Sequence, residues 1–210
     1  MKKPIKYILT IIVIIFVGYN SVYFKKLDEV KAISNAKEFD APTYAKNFYS
    51  KKLVPNLSKA IDMNTLIGLV KQDSKSAFDK YSHALGIGNI RYFLVQGSGT
   101  ITAIDENDAT ISTTSDTTLQ QLKIATEFVY GNAIRDASGL IDINEFKSTM
   151  DFNNVSAEIN KIIRTTVIPQ FKTTAKKGDI VKFFGAIELN QAHLKLDNLE
   201  LIPISLNLSK

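Results

Sequence analysis

The chain contains no cysteine among its 210 residues and only two histidines, His83 and His193. Without thiols there is no disulfide, no thiolate nucleophile and no Cys-type zinc site, so the fold must stand on its hydrophobic core. Lipid attachment to a cysteine is excluded for the same reason: Tyr19 stands where a lipobox cysteine would follow the apolar segment. The catalytic inventory is equally thin. The two histidines fall in different segments, no His-Glu-x-x-His pair exists, and no serine sits in a nucleophile elbow. A triad assembled in space stays open as an alternative, because its members need only meet in three dimensions.

Concentrated charge is also missing. The formal net charge is +5, but three of the 26 Lys and Arg residues precede Tyr7 and none of the 21 acids does, leaving +2 for the rest. A balance so small and dispersed is not the basic face that nucleic acid requires, and no nucleic-acid partner is expected.

What the chain does have is an apolar opening. Lys2, Lys3 and Lys6 lead into residues 7–24, and Lys25 and Lys26 close the run. Signal-peptide cleavage wants small residues in an A-x-A-like pattern, yet Gly18 and Ser21 each have an aromatic, Phe16 and Tyr19, two positions earlier. An apolar-rich run of roughly 18 residues is close to bilayer-spanning length. Residues 1–25 are therefore expected to be an uncleaved signal anchor, a single-pass transmembrane helix with the membrane as its partner. Lys25, Lys26 and Lys31 nearly balance the leading lysines, so charge does not set the orientation.

Residues 26–41 form a charged stalk that Ala41-Pro42 interrupts, and 42–210 is the domain proper. Tyr44, Ala45, Phe48 and Tyr49 stand at helical spacing before Pro55, which is expected to stop the helix. Residues 62–86 predict two short helices or one bent one, with Leu66, Ile67, Val70, Phe78, Tyr81 and Leu85 inward. The texture then turns to strands over 90–104 and 109–114, joined by the turn Asp105-Glu106-Asn107-Asp108, with further strands over 122–130 and 133–143. Asn153 or Asn154 caps a helix carrying Val155, Ile159, Ile162, Ile163 and Val167, ended near Pro169. A strand over 180–189 follows, then a last one in which Ile202, Ile204, Leu206 and Leu208 alternate with polar residues and Pro203; the proline restricts it to an edge or a strand start.

Gly88-Asn89-Ile90 opening a strand that reaches Gly97 is echoed by Gly178-Asp179-Ile180 opening one that reaches Gly185. The echo suits two small barrels of oligonucleotide/oligosaccharide-binding (OB) type, with halves 42–145 and 146–210. The fold class is thus α+β, a helix-plus-antiparallel-β-barrel-like domain, with two OB-like halves as one form of it.

Three candidate sites emerge. Arg135-Asp136, flanked by Ala133, Ile134 and Ala137, reads as a partly covered ion pair, since a guanidinium among small and apolar residues needs carboxylates to offset its desolvation; an exposed ion pair and a ligand contact are the other readings. Gly97-Ser98-Gly99 lacks the spacing and lysine of a phosphate loop and reads as a strand bend. Asp136, Asp142 and Glu145 around Gly139 mimic the later part of a calcium loop, but the first ligand position falls on Ile134, so neither metal nor other cofactor is expected.

The segments Tyr49-Ser50-Lys51-Lys52-Leu53-Val54-Pro55, Phe93-Leu94-Val95-Gln96-Gly97-Ser98-Gly99 and Gly131-Asn132-Ala133-Ile134-Arg135-Asp136-Ala137, with Phe146, Asn160, Gly178 and Gly185-Ala186, resemble the bacterial domain of unknown function 2291, a family of predicted periplasmic lipoproteins. The resemblance runs from about residue 26 to the C-terminus. Two positions depart from it: the lipobox cysteine is missing, and Ser148-Thr149 stand where an Asn-Gln pair belongs. It implies a domain facing the periplasm from the inner membrane, an accessory or binding role linked to sugar uptake, and a transporter-associated protein or small ligand as partner. It supplies no catalytic residue; Gly97, Gly99, Gly131, Arg135 and Asp136 are the positions to locate. A small periplasm-facing enzyme and an OB-type ligand binder are the alternatives.

Overall fold

The structure, a computed structural model, describes residues 3–21, 39–115 and 118–209. Met1–Phe39 and Asp40–Lys210 are two compact units. In the first, helix α1 spans Lys3–Ser21. The expected transmembrane helix is corrected here: among the described residues, no helix is long and apolar enough to cross a membrane. The described helix includes Lys6, Gly18, Asn20 and Ser21, which dilute its apolar stretch, and residues 22–24 of the expected run lie outside the described residues. Most of the expected stalk falls on residues 22–38, outside the described residues.

The second unit opens with α2 (Ala41–Phe48), capped by Asp40, whose carboxylate accepts from the Thr43 N–H. Pro55 does not stop it. A π turn over Tyr49–Leu53 precedes a helical segment at Val54–Asn56, which places Pro55 in a first turn, where its missing N–H costs nothing. Strand β1 (Ile61–Asp62) leads to α3 (Met63–Gln72) and α4 (Ser74–Tyr81), capped by Asp62 and Asp73 respectively. Leu66, Ile67, Val70 and Phe78 point inward as the periodicity requires, while Leu85 is exposed.

After β2 (Ser82–His83), β3 (Ile90–Ile104), β4 (Asp108–Ser115) and β5 (Thr118–Ala125) form a meander. Next come α5 (Ala133–Ser138), α6 (Thr149–Ile162) and α7 (Ile168–Thr174), then β6 (Ile180–Asn190) and β7 (Leu199–Ser209). The pairing runs β3-β4-β5-β7-β6 and returns to β3, so among the described residues five strands close into one ring. Within the ring all neighbours are antiparallel except β5 and β7, which pair in parallel; β1 adds to β3 outside it, also in parallel.

Two expected OB-like halves are therefore one barrel. The echoed strands, β3 and β6, are each other's antiparallel partners, with Gly97 opposite Phe183 and Val95 opposite Gly185. Residues 133–143 are not a strand: α5 occupies the first part, ending at Gly139 with φ 61°. Helix α6 begins earlier than expected, at a Ser148 cap whose hydroxyl accepts from the Asp151 N–H. It also passes Pro169, because a second π turn, Ile163–Val167, delivers that proline into the first turn of α7.

Two apolar layers result. Inside the ring Phe93, Val95, Ile111, Leu122, Val181, Phe183 and Leu201 pack together, and Met63, Leu66, Phe78 and Phe171 close the barrel from the helices. Outside it, Phe48, Leu53, Ile134, Phe152, Val155 and Ile159 are buried where α2, α5 and α6 meet. Pro203 falls where the β5 pairing has already ended, since only Leu199–Leu201 match β5, so its missing N–H breaks no ladder there.

Glycines in the wall permit the bends. A Cβ on Gly97 would lie 2.7 Å from the Phe183 ring, one on Gly99 2.8 Å from the Ser112 carbonyl oxygen, and one on Gly185 2.6 Å from the Ile202 carbonyl oxygen. Gly185 sits at a register shift between β6 and β7, facing backbone that cannot swing aside. Gly185→Ala is expected to destabilise the domain by about 1–3 kcal/mol through overpacking; a denaturant melt with an unchanged midpoint would refute this.

Candidate functional site

On the outer face of the barrel, cross-strand register sets a row of polar side chains. Tyr92 of β3 lies opposite Glu188 of β6. Ile187 lies opposite Leu201 of β7, which continues the row to Glu200. Beside the row the segment after β5 brings Phe128 and Tyr130, each 60% exposed, to the Gly131 turn that starts α5. Gly131 holds φ 77°, a conformation that side chains rarely adopt. Together Tyr92, Phe128, Tyr130, Asn132, Glu188 and Glu200 line a cleft of about 420 Å³.

Burial first, then the charges of Glu188 and Asp136, push the Tyr92 hydroxyl up to about 12. It therefore stays a proton donor across the physiological range. The fold holds that proton more tightly than the unfolded chain does, so the associated stability is present below pH about 10 and is lost as pH rises through about 12.

Behind the cleft the Arg135-Asp136 pair is buried, as its apolar flanks require. Arg135 Nε donates to Asp136 Oδ1 at 2.6 Å, with both side chains at most 5% exposed. Its Nη1 donates to the Phe152 carbonyl and Asn153 Oδ1, both at 3.3 Å, and the guanidinium lies 3.5 Å from the Phe152 ring centre. One side chain thus ties α5 to α6. Asp136 also accepts from Asn132 Nδ2 at 3.4 Å, which links the pair to the cleft rim.

The other candidates separate. Gly97 and Gly99 stand in the barrel wall, away from the cleft, whereas Gly131 forms part of it. Asp142 caps a short 3-10 turn and Glu145 accepts from the Tyr44 hydroxyl at 3.0 Å, so neither meets Asp136. Among the described residues no group of His or acidic side chains could hold a metal ion. His83 belongs to β2 rather than to a helix, with its ring against Gly139, and neither histidine lines the cleft.

Tyr92, Phe128, Tyr130, Glu188 and Glu200 escaped sequence reasoning because they come from three strands and a loop. One signal was available: Phe128 and Tyr130 are large aromatics immediately before a glycine turn.

A family model described as predicted periplasmic lipoprotein (DUF2291) matches residues 12–207. The chain belongs to this family. No curated protein matches. Among solved structures, the crystal structure of an OB-fold protein from Thermotoga maritima is 24% identical, with a TM-score of 0.73 over 82% of this chain and 100% of that one. At that identity the likeness shows the fold alone, and it agrees with the ring of strands above. The DUF2291 family is described as extracytoplasmic; the cysteine by which a lipoprotein is anchored does not occur in this member.

Arg135→Ala would leave the Asp136 carboxylate buried without its cation, and the expected loss is about 3–5 kcal/mol. Arg135→Lys should rescue little, because an ammonium cannot reach Asp136, the Phe152 carbonyl and Asn153 together. Coincident thermal melts of the Ala variant and the parent would show the pair to be dispensable for the fold.

Proposed function

We propose that this protein is an extracytoplasmic, non-catalytic binding domain that takes a neutral sugar in the Tyr92–Glu200 cleft and serves a sugar-uptake system. The observation that carries the reading is the lining itself. Phe128 and Tyr130 offer exposed ring faces to the C–H surface of a pyranose, while Glu188, Glu200, Asn132 and the Tyr92 hydroxyl supply acceptors and donors for its hydroxyls. The OB surface used for oligonucleotides has a different character here. Outward positions on β4 and β5 carry Thr110, Ser112, Gln121 and Lys123, and that lysine pairs with Asp108. Stacking aromatics and unpaired cations, which single-stranded nucleic acid needs, are not among them.

Export is assigned to α1, whose 11-residue apolar core has signal-sequence length. The missing small-x-small cleavage pattern supports retention of the segment, which would hold the domain at the membrane surface beside a transporter. The full chain should then sediment with membranes, open to protease added to spheroplasts, and a variant lacking residues 3–21 should stay in the cytosol. Protection of the full chain in spheroplasts would overturn this.

The ligand reading is tested by calorimetric titration with a panel of neutral mono- and disaccharides. Saturable binding is expected, weakened at least ten-fold by Tyr130→Ala and by Glu188→Ala. Binding of polyamines in place of sugars, or of no sugar at all, would refute it.

A further inference from the structure

A second cavity, of about 410 Å³, lies on the other side of the Gly131 turn, where α6 faces the segment before α5. Its polar lining is Tyr130, Asn132, Asn153, Ser156, Asn160 and Arg164, and none of its lining residues is acidic. Ser156 is 6% exposed and its Oγ is buried without a hydrogen-bond partner. A helical serine ordinarily returns its proton to the carbonyl four residues back. Here that carbonyl belongs to Phe152 and already accepts from Arg135 Nη1. An unpaired buried hydroxyl costs free energy comparable to a lost hydrogen bond, so a partner from outside the chain would relieve it.

Two of the neighbours, Asn153 and Arg164, suit a negative partner. Asn153 Oδ1 is occupied by Arg135, which leaves the amide N–H groups of Asn153 as donors. Asn160 is held to the turn through Nδ2, which donates to the Gly131 carbonyl at 2.8 Å and leaves its Oδ1 an acceptor, so it braces the turn and takes no part in the site. Arg164 donates to the Val129 carbonyl through Nη1 and lies 4.6 Å from the Tyr130 ring centre, which fixes a guanidinium at the cavity with further N–H groups in hand.

We infer that this cavity is an oxyanion subsite, taking a carboxylate or phosphate group between Arg164, Ser156 and Asn153. The inference goes beyond the sugar reading and stands without it, because only the Tyr130–Asn132 turn is common to the two linings. The charge logic of the two differs: carboxylates line the first, a guanidinium and neutral donors the second.

The test is an amide NMR titration of the folded domain with sodium acetate and, separately, with inorganic phosphate, each against sodium chloride at matched ionic strength. Saturable shifts at Asn153, Ser156 and Arg164 are expected with at least one of the two, and whichever saturates identifies the group. Ser156→Ala should raise that Kd at least five-fold without lowering the Tm, since it removes only an unsatisfied hydroxyl; Arg164→Gln should abolish saturation. The idea is overturned if chloride produces the same shifts, if neither oxyanion saturates, if Ser156→Ala binds as the parent does, or if that variant melts earlier, which would mean that the hydroxyl serves the fold.

Discussion

The antiparallel ladder between β3 and β6 is the constraint on which the rest depends. It matches Ile90 through Thr100 with Asn190 through Ile180 without a break, and it is the seam that turns a meander and a hairpin into a closed ring. Because side chains alternate along a strand, that one register assigns two jobs at once. Phe93, Val95, Phe183 and Ile187 fill the barrel, while Tyr92 and Glu188 face outward beside each other. A slip of a single residue would exchange these sets and destroy both core and cleft.

The helical layer depends on that outer face in turn. Helix α5 packs against β3 and β6, α6 packs on α2 and α5, and the Tyr49 hydroxyl donates to the Ile204 carbonyl to tie the π turn after α2 to β7. Arg135 links α5 to α6 from within, at the cost of desolvating a guanidinium. Its carboxylate partner, its carbonyl and amide acceptors and the Phe152 ring offset that cost. The same arginine donates to the Phe152 carbonyl, four residues before Ser156, whose buried hydroxyl has no hydrogen-bond partner.

Around the Gly131 turn these consequences meet. On one side the sheet supplies carboxylates and a protonated phenol; on the other α6 supplies amides and a hydroxyl, and the π turn after it a guanidinium. The turn itself is braced by Asn160 of α6 and by Arg164 of the π turn that follows it, which donate to the carbonyls of Gly131 and Val129. A ligand engaging Tyr130 on either side would bear on a segment anchored to both layers.

By itself the sequence determined what local chemistry can determine. The absence of cysteine left the fold to its apolar core, the family segments pointed to the predicted periplasmic lipoproteins that the family model matches, and the apolar flanks of Arg135 pointed to an ion pair, which the structure buries. The long apolar stripe of α6 was legible because Val155, Ile159 and Ile163 span several turns. Helix α5 was not: six residues are too few to separate a helical period from a strand's, and Pro55 and Pro169 misled because a π turn upstream, invisible in composition, made room for each. The clefts belong to tertiary structure alone. Tyr92, Glu188 and Glu200 become neighbours only through strand register, and the Phe152 carbonyl that Ser156 faces along its helix is met by Arg135 from α5; both are long-range facts that no local pattern encodes.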